Sequence, residues 1–198
     1  INEISQFCEK VGANINYVRE GIGSDSRIGY SFIYPSIGFG GSCFPKDLSS
    51  LKNQFEKVGL KSLMSNATLE INNLQRRGFT SRIIKYFKNN HNLNKKVSVW
   101  GITFKPGTDD IRESQAIKIV NELIDNNFHV KIFDPEGMSN AKEYFSNYKN
   151  IEFINEKYEV LHESSALLLL TEWAEFRSPD FRKIKKLING SVIFDGRN

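Results

Sequence analysis

Residues 97–135, VSVWGITFKPGTDDIRESQAIKIVNELIDNNFHVKIFDP, contain the change of hydrophobic period on which the fold turns. The run VSVWGITF is short and β-branched and reads as a strand. SQAIKIVNELIDNN has helical apolar spacing behind a Ser114 that can cap it, and HVKIFDP reads as a second strand. Strand, crossover helix and strand form a βαβ unit, whose strands run parallel. Downstream, ALLLLTEW (166–173) and SVIFDGR (191–197) supply two more apolar strands, separated by SPDFRKIKKLING, which reads as a helix from Pro179 to Gly190. Residues 93–198 are therefore expected to form a Rossmann-like, doubly wound parallel sheet of the α/β class. The first strand and its loop lack the GxGxxG fingerprint of a dinucleotide site. Ligands of such sheets gather outside the carboxyl ends of the strands. That directs attention to GITFKPGTDDIRES, FDPEG, LTEWAEF and FDGRN.

Upstream, residues 1–92 read as a separate helical domain. Ile4, Phe7, Cys8 and Val11 follow i, i+3, i+4, i+7 spacing, and Ile15, Val18 and Ile22 continue it after a break at Gly12. Cys8 is thus expected on a buried stripe. From Gly21 to Cys43, glycines alternate with aromatic residues, which suits a long shaped loop better than a regular element. Helix resumes after Pro45. Residues 63–90 can carry one long helix with Leu63, Ala67, Ile71, Leu74, Phe79, Ile83 and Phe87 near one face, its interior Gly78 costing about 1 kcal/mol.

The 198 residues carry a net charge of +4, with basic and acidic residues interspersed, which argues against a nucleic-acid stripe and suits a small anionic ligand. No apolar run approaches the roughly 18 residues of a membrane span. Two cysteines and no secretory leader point to a reducing cytoplasm. From the missing initiator Met and a start that reads as mid-helix, a fragment is expected. His91, His129 and His162 are scattered and neither cysteine has a CxxC partner, so no metal site is expected. GxSxG and Walker patterns are absent.

The chemistry-bearing stretch is GFGGSCFPKD, residues 38–47. A lone cysteine is most often a small core hydrophobe. Here glycines precede Cys43, and Pro45 at a helix start leaves the thiol beside free N–H groups and the positive end of a helix dipole, which favour thiolate and can hold an oxyanion. Lys46 and Asp47 lie within one helical turn, either as acid/base neighbours of a nucleophile or as an exposed ion pair. Lys105, Arg112 and Arg197 follow strands, where each could meet an anion or simply face water.

GFGGSCFPKD, with RIGYSFIYPS upstream and EINNLQRR, GITFKPGTDDIRES and FDGRN following in order, resembles the UDP-glucose/GDP-mannose dehydrogenase family across nearly the whole chain, and within it the UDP-glucose type. The GDP-mannose enzymes carry a very similar loop, and a nucleotide-sugar binding module without chemistry is a further alternative. The resemblance implies the central helical dimerisation domain and the C-terminal UDP-binding domain, without the NAD-binding domain. It also implies a chain that does not turn over alone. The implied reaction is an NAD-dependent, two-step oxidation of the sugar's sixth carbon to a carboxylate, giving UDP-glucuronate, a polysaccharide precursor. Cys43 matches the nucleophile and Asp47 the carboxylate that positions water. Lys46 and Arg112 match residues approaching NAD. Phe32, Ile33, Tyr34, Ser36, Phe39 and Gly40 match the segment along the substrate, and Phe104, Lys105 and Arg197 reach it from the other domain. Arg27 matches an arginine supplied across a homodimer interface.

Overall fold

The computed structural model describes residues 1–197. Helices α1 (Asn2–Val11), α2 (Ile15–Gly23), α3 (Phe44–Lys57) and α4 (Leu63–Asn89) precede a sheet of β1 (Lys96–Trp100), β2 (His129–Phe133), β3 (Ile151–Phe153), β4 (Ala166–Leu169) and β5 (Val192–Asp195). Helices α5 (Gln115–Asp125), α6 (Met138–Tyr144) and α7 (Phe181–Leu187) connect the strands. The order is β3-β2-β1-β4-β5 and every pair is parallel. The chain winds outward from β1 to β3, then returns to β4 on the other side of β1, so the direction reverses between β1 and β4. A crevice opens at such a reversal.

Strands β1, β2 and β4 are buried on both faces, which is why they read as continuous apolar runs, whereas the edge strand β5 alternates half-buried and exposed residues. On one face Val97, Val99, Val130, Ile132 and Leu168 pack with Ile119, Val120 and Leu123 of α5. Phe79, Ile83 and Phe87 of α4 and Ile37 of the preceding loop belong to the same core. On the other face Trp100, Leu167, Phe176, Ile184 and Ile188 form a second cluster, with Trp100 stacked on Phe176 at 5.1 Å between ring centres. Each large apolar side chain buried this way contributes about 1.5–3 kcal/mol. The Ser114 cap is present, its hydroxyl accepting from Ala116 N–H at 3.2 Å.

Several boundaries differ from the sequence reading. Strand β1 ends at Trp100, because the N–H groups of Ile102 and Thr103 turn to donate to Asp134 Oδ2 at 2.7 and 3.2 Å. Helix α7 starts at Phe181, with the Asp180 side chain accepting from Arg182 and Lys183 N–H. Pro45 is the second helical residue and Cys43 itself occupies the N-cap position. Strand β3 and helix α6 are short elements absent from that reading.

The apolar stripes are corrected more substantially. Of the α1 stripe only Cys8 is buried, while Phe7 is 64% exposed and Ile4 and Val11 are also open. In α4 the first half buries Ser65, Asn72 and Arg76 and exposes Leu63, Met64 and Leu74; the expected stripe is buried only from Phe79 onward. Polar burial there has partners: Arg76 pairs with Glu122 of α5, and Asn72 bonds to the backbone of the glycine loop.

Candidate active site

The loop between α2 and α3 owes its shape to its neighbours. Asn72 brackets Phe39 as a strand partner would: Phe39 N–H donates to Oδ1 at 2.8 Å and Nδ2 donates to the Phe39 carbonyl at 3.0 Å. Gln115, at the start of α5, donates to the same carbonyl at 2.6 Å. Gln75 donates to Ser36 O at 2.7 Å, and Ser36 N–H donates to Asn2 Oδ1 at 2.9 Å. Two backbone bonds complete the fastening, Ile37 N–H to Gly196 O at 3.0 Å and Gly41 N–H to Arg112 O at 3.1 Å.

Two of the glycines are required by this docking. A Cβ on Gly40 would lie 2.4 Å from the Glu113 carbonyl oxygen, and Gly41, at φ +89°, would place one 2.6 Å from the Phe104 ring. Backbone on one side and a ring on the other leave no room for any side chain.

Docked in this way, the loop forms one wall of a cleft of about 1460 Å³. Phe32, Tyr34, Ser36, Phe39, Gly40 and Phe44 line that wall. Phe104, Lys105, Glu172, Trp173 and Arg197 line the wall opposite, at the carboxyl ends of β1, β4 and β5. Phe32 is 98% exposed and holds φ +64°, a strained backbone for an aromatic residue. Arg19 lies over the Tyr34 ring at 4.0 Å, and Lys105 Nζ lies 5.4 Å from the Phe104 ring centre. Arg197 Nη2 meets Glu172 Oε2 at 2.5 Å.

The remaining residues predicted from the sequence lie outside that lining. Cys43 is exposed at the rim, beside Phe44, with the Ser42 hydroxyl 3.8 Å from its sulfur. Asp47 N–H donates to Cys43 O at 2.9 Å in the first turn of α3, and the Asp47 carboxylate faces Lys46 Nζ at 3.5 Å in an open ion pair. Arg112 is close to the thiol. Its guanidinium is held charged above its ordinary range first by its hydrogen bonds to Asp110, at 3.0 and 2.8 Å, with Cys43 among the smaller contributors. The same bonds hold the Asp110 carboxyl below the usual carboxylate range. Arg27 is 87% exposed in an equivalent fork with Asp25, far from enclosure, and Ile33 is half-buried behind the cleft wall. Asn72, Gln75 and Gln115, which shape the site, were not singled out from the sequence. Their signal is amide side chains on otherwise core-facing helical positions.

The sequence matches the UDP-glucose/GDP-mannose dehydrogenase family, central domain, over residues 1–74, and that family's UDP binding domain over residues 98–198. The chain belongs to the UDP-glucose/GDP-mannose dehydrogenase family. Within it, the chain is 38% identical to the UDP-glucose 6-dehydrogenase of Rickettsia bellii, a match covering 100% of this chain and 45% of that protein. It is also 38% identical to the UDP-glucose 6-dehydrogenase of Rhizobium meliloti, covering 100% and 44%. Its fold resembles the solved UDP-glucose dehydrogenase of Pyrobaculum islandicum with a TM-score of 0.85 at 28% identity, covering 100% of this chain and 43% of that one. The chain thus spans less than half the length of these relatives.

Proposed function

We propose that this chain supplies the thiol nucleophile and the nucleotide-sugar cleft for NAD-dependent oxidation of UDP-glucose to UDP-glucuronate. The observation that carries the reading is the juxtaposition of Cys43, at the N-terminus of α3, with a cleft whose two walls come from the glycine loop and from the reversal point of the sheet. One ligand can span both walls, with its diphosphate toward Lys105 and Arg197 and its sugar toward the loop and the thiol. In this reading residues 1–92 and 93–198 are the two functional units, joined by the core that α4 shares with the sheet.

After the sixth-carbon alcohol has lost one hydride and its proton, the Cys43 thiolate adds to the resulting aldehyde, whose oxygen takes a proton, to give a thiohemiacetal. Loss of a second hydride and that proton gives the thioester, which water hydrolyses to the carboxylate and the free thiol. Backbone N–H groups at the start of α3 are positioned to stabilise the oxyanion, and Asp47, one turn along, to orient water. The exposed cations of Lys46 and Arg112, on the open side of the thiol, fit a dinucleotide pyrophosphate. NAD bound there supplies the hydride acceptor. A free thiol at Cys43 fits a reducing, cytoplasmic setting. Exposed Phe7, Val58, Leu63 and Met64 support a homodimer through the helical part, with Arg27 offered to a second copy.

Calorimetry on the chain tests this reading: UDP is expected to bind, and NAD far more weakly. Tight NAD binding without uridine-nucleotide affinity would reverse the assignment of residues 93–198. Thermal shift with UDP against GDP decides the base, because the two ligands share the diphosphate and differ only in base contacts.

A further inference from the structure

We infer that the basic face of α7 and of the segment just before it is an electrostatic guide that draws the anionic nucleotide into the cleft, a role that rests on the nucleotide-sugar reading above. Residues 177–186, RSPDFRKIKK, hold five basic residues and one carboxylate, a local net charge of +4 that equals the net charge of the whole chain. Away from this face, cations and carboxylates therefore balance. Arg177, Arg182, Lys183, Lys185 and Lys186 are all exposed, and none of them forms an ion pair among the described residues. Elsewhere Arg27, Arg82, Lys96, Arg112 and Lys118 each meet a carboxylate at 2.5–2.8 Å. The acids nearest to the basic face are already engaged. Asp180 accepts from Arg182 N–H and Lys183 N–H at 2.9 and 3.0 Å, and Glu175 faces Lys157 at 3.3 Å.

Position decides what this charge can act on. Arg177, Pro179, Phe181 and Ile184 line the same cleft as Lys105 and Arg197. Lys185 follows Ile184 directly and stands one turn beyond Phe181, and Lys186 stands one turn beyond Arg182. A charge run on a helix remote from any opening is solvated surface and no more. This one flanks a cleft whose lining there, Trp173, Phe176 and Phe181, is aromatic, and walls of low dielectric focus the field of the charges beside them. The cations of α7 need not touch the bound ligand. Attraction over a distance of about 10–20 Å raises the rate at which a diphosphate arrives, while its departure is set by the contacts inside the cleft. Salt controls that reach, since the screening length is about 30 Å at 0.01 M and about 3 Å at 1 M. A guide and a direct contact are therefore separable: the first acts on arrival and disappears in salt, the second acts on departure and persists.

The experiment is an NMR line-shape titration of the 198-residue chain with UDP and with uridine, which gives Kd and k_off for each ligand and hence k_on. In about 0.01 M salt, Lys185→Glu with Lys186→Glu is expected to slow UDP association about tenfold, and Lys185→Gln with Lys186→Gln about threefold, with k_off within about twofold of the unsubstituted chain. In about 1 M salt the three proteins are expected to associate with UDP alike. Uridine, which carries no phosphate, is expected to bind all three with the same Kd at either salt. UDP association that the substitutions leave unchanged at low salt overturns the guide. A loss that survives at high salt or appears in k_off overturns it too, as a direct contact or damage to the cleft, and so does an equal loss for uridine. Failure of the unsubstituted chain to bind UDP at either salt overturns the nucleotide reading, and this role with it.

Discussion

Cys43 and Cys8 differ in everything except their chemistry. Cys8 is 3% exposed, whereas Cys43 is open at the rim of the cleft with a helix starting at its carbonyl. Limited alkylation with peptide mass mapping is therefore expected to modify Cys43 first, and Cys8 only as the chain unfolds. If Cys8 reacts first, Cys43 loses its physical claim to be the nucleophile. Asp110 offers a second test near the same thiol. Its folded carboxyl is held low by Arg112, so the ionised form stabilises the fold above the unfolded value of about 3.9, and that stability is lost as the pH falls through the still lower folded value. The melting-temperature gap between the unsubstituted chain and Asp110→Asn is expected to be constant from neutral pH to about pH 5 and to close below about pH 4. A gap that persists in acid would mean that Asp110 acts by packing, not by charge.

Among the elements, the glycine loop makes the most specific demands. Gly40→Ala would press a methyl onto the Glu113 carbonyl, a backbone atom unable to swing away, so it is expected to destabilise by about 1–3 kcal/mol in urea unfolding. Asn72→Leu, which strands the Phe39 N–H while Gln115 keeps the carbonyl, is expected to cost about 1–3 kcal/mol by the same measurement. The loop also marks where sequence legibility stopped. Strands β1, β2 and β4 were readable because parallel strands buried on both faces are continuous apolar runs, the edge strand β5 by its short β-branched and aromatic run, and α5 because its cap and stripe agree. The stripes of α1 and α4 misled, because apolar periodicity records a face that wants to be covered without saying by what; in α4 the inward face instead carries Asn72 and Arg76. Cys43, Lys105 and Arg197 could be picked out by their place after glycines or strands. Asn72, Gln75 and Gln115 could not, since their partners lie 33 to 76 residues away.

The molecule as a whole leaves a broad apolar surface on its helical part, with Val58 70%, Leu63 71% and Met64 83% exposed. An open surface of that kind is characteristic of an interface. Sedimentation of the chain is expected to show dimers, and Leu63→Lys with Met64→Lys to shift them toward monomers without lowering the monomer's unfolding midpoint. Monomers at all concentrations would mean that something other than a second copy covers this face. The fastening of the glycine loop also has a consequence for how the protein is made. Ile37 leaves the ribosome well before Gly196, whose carbonyl receives its N–H. The loop ahead of the exposed thiol therefore cannot take its final shape until Gly196 has been made, so a nascent chain stalled before that point carries the cysteine without the frame that holds its loop.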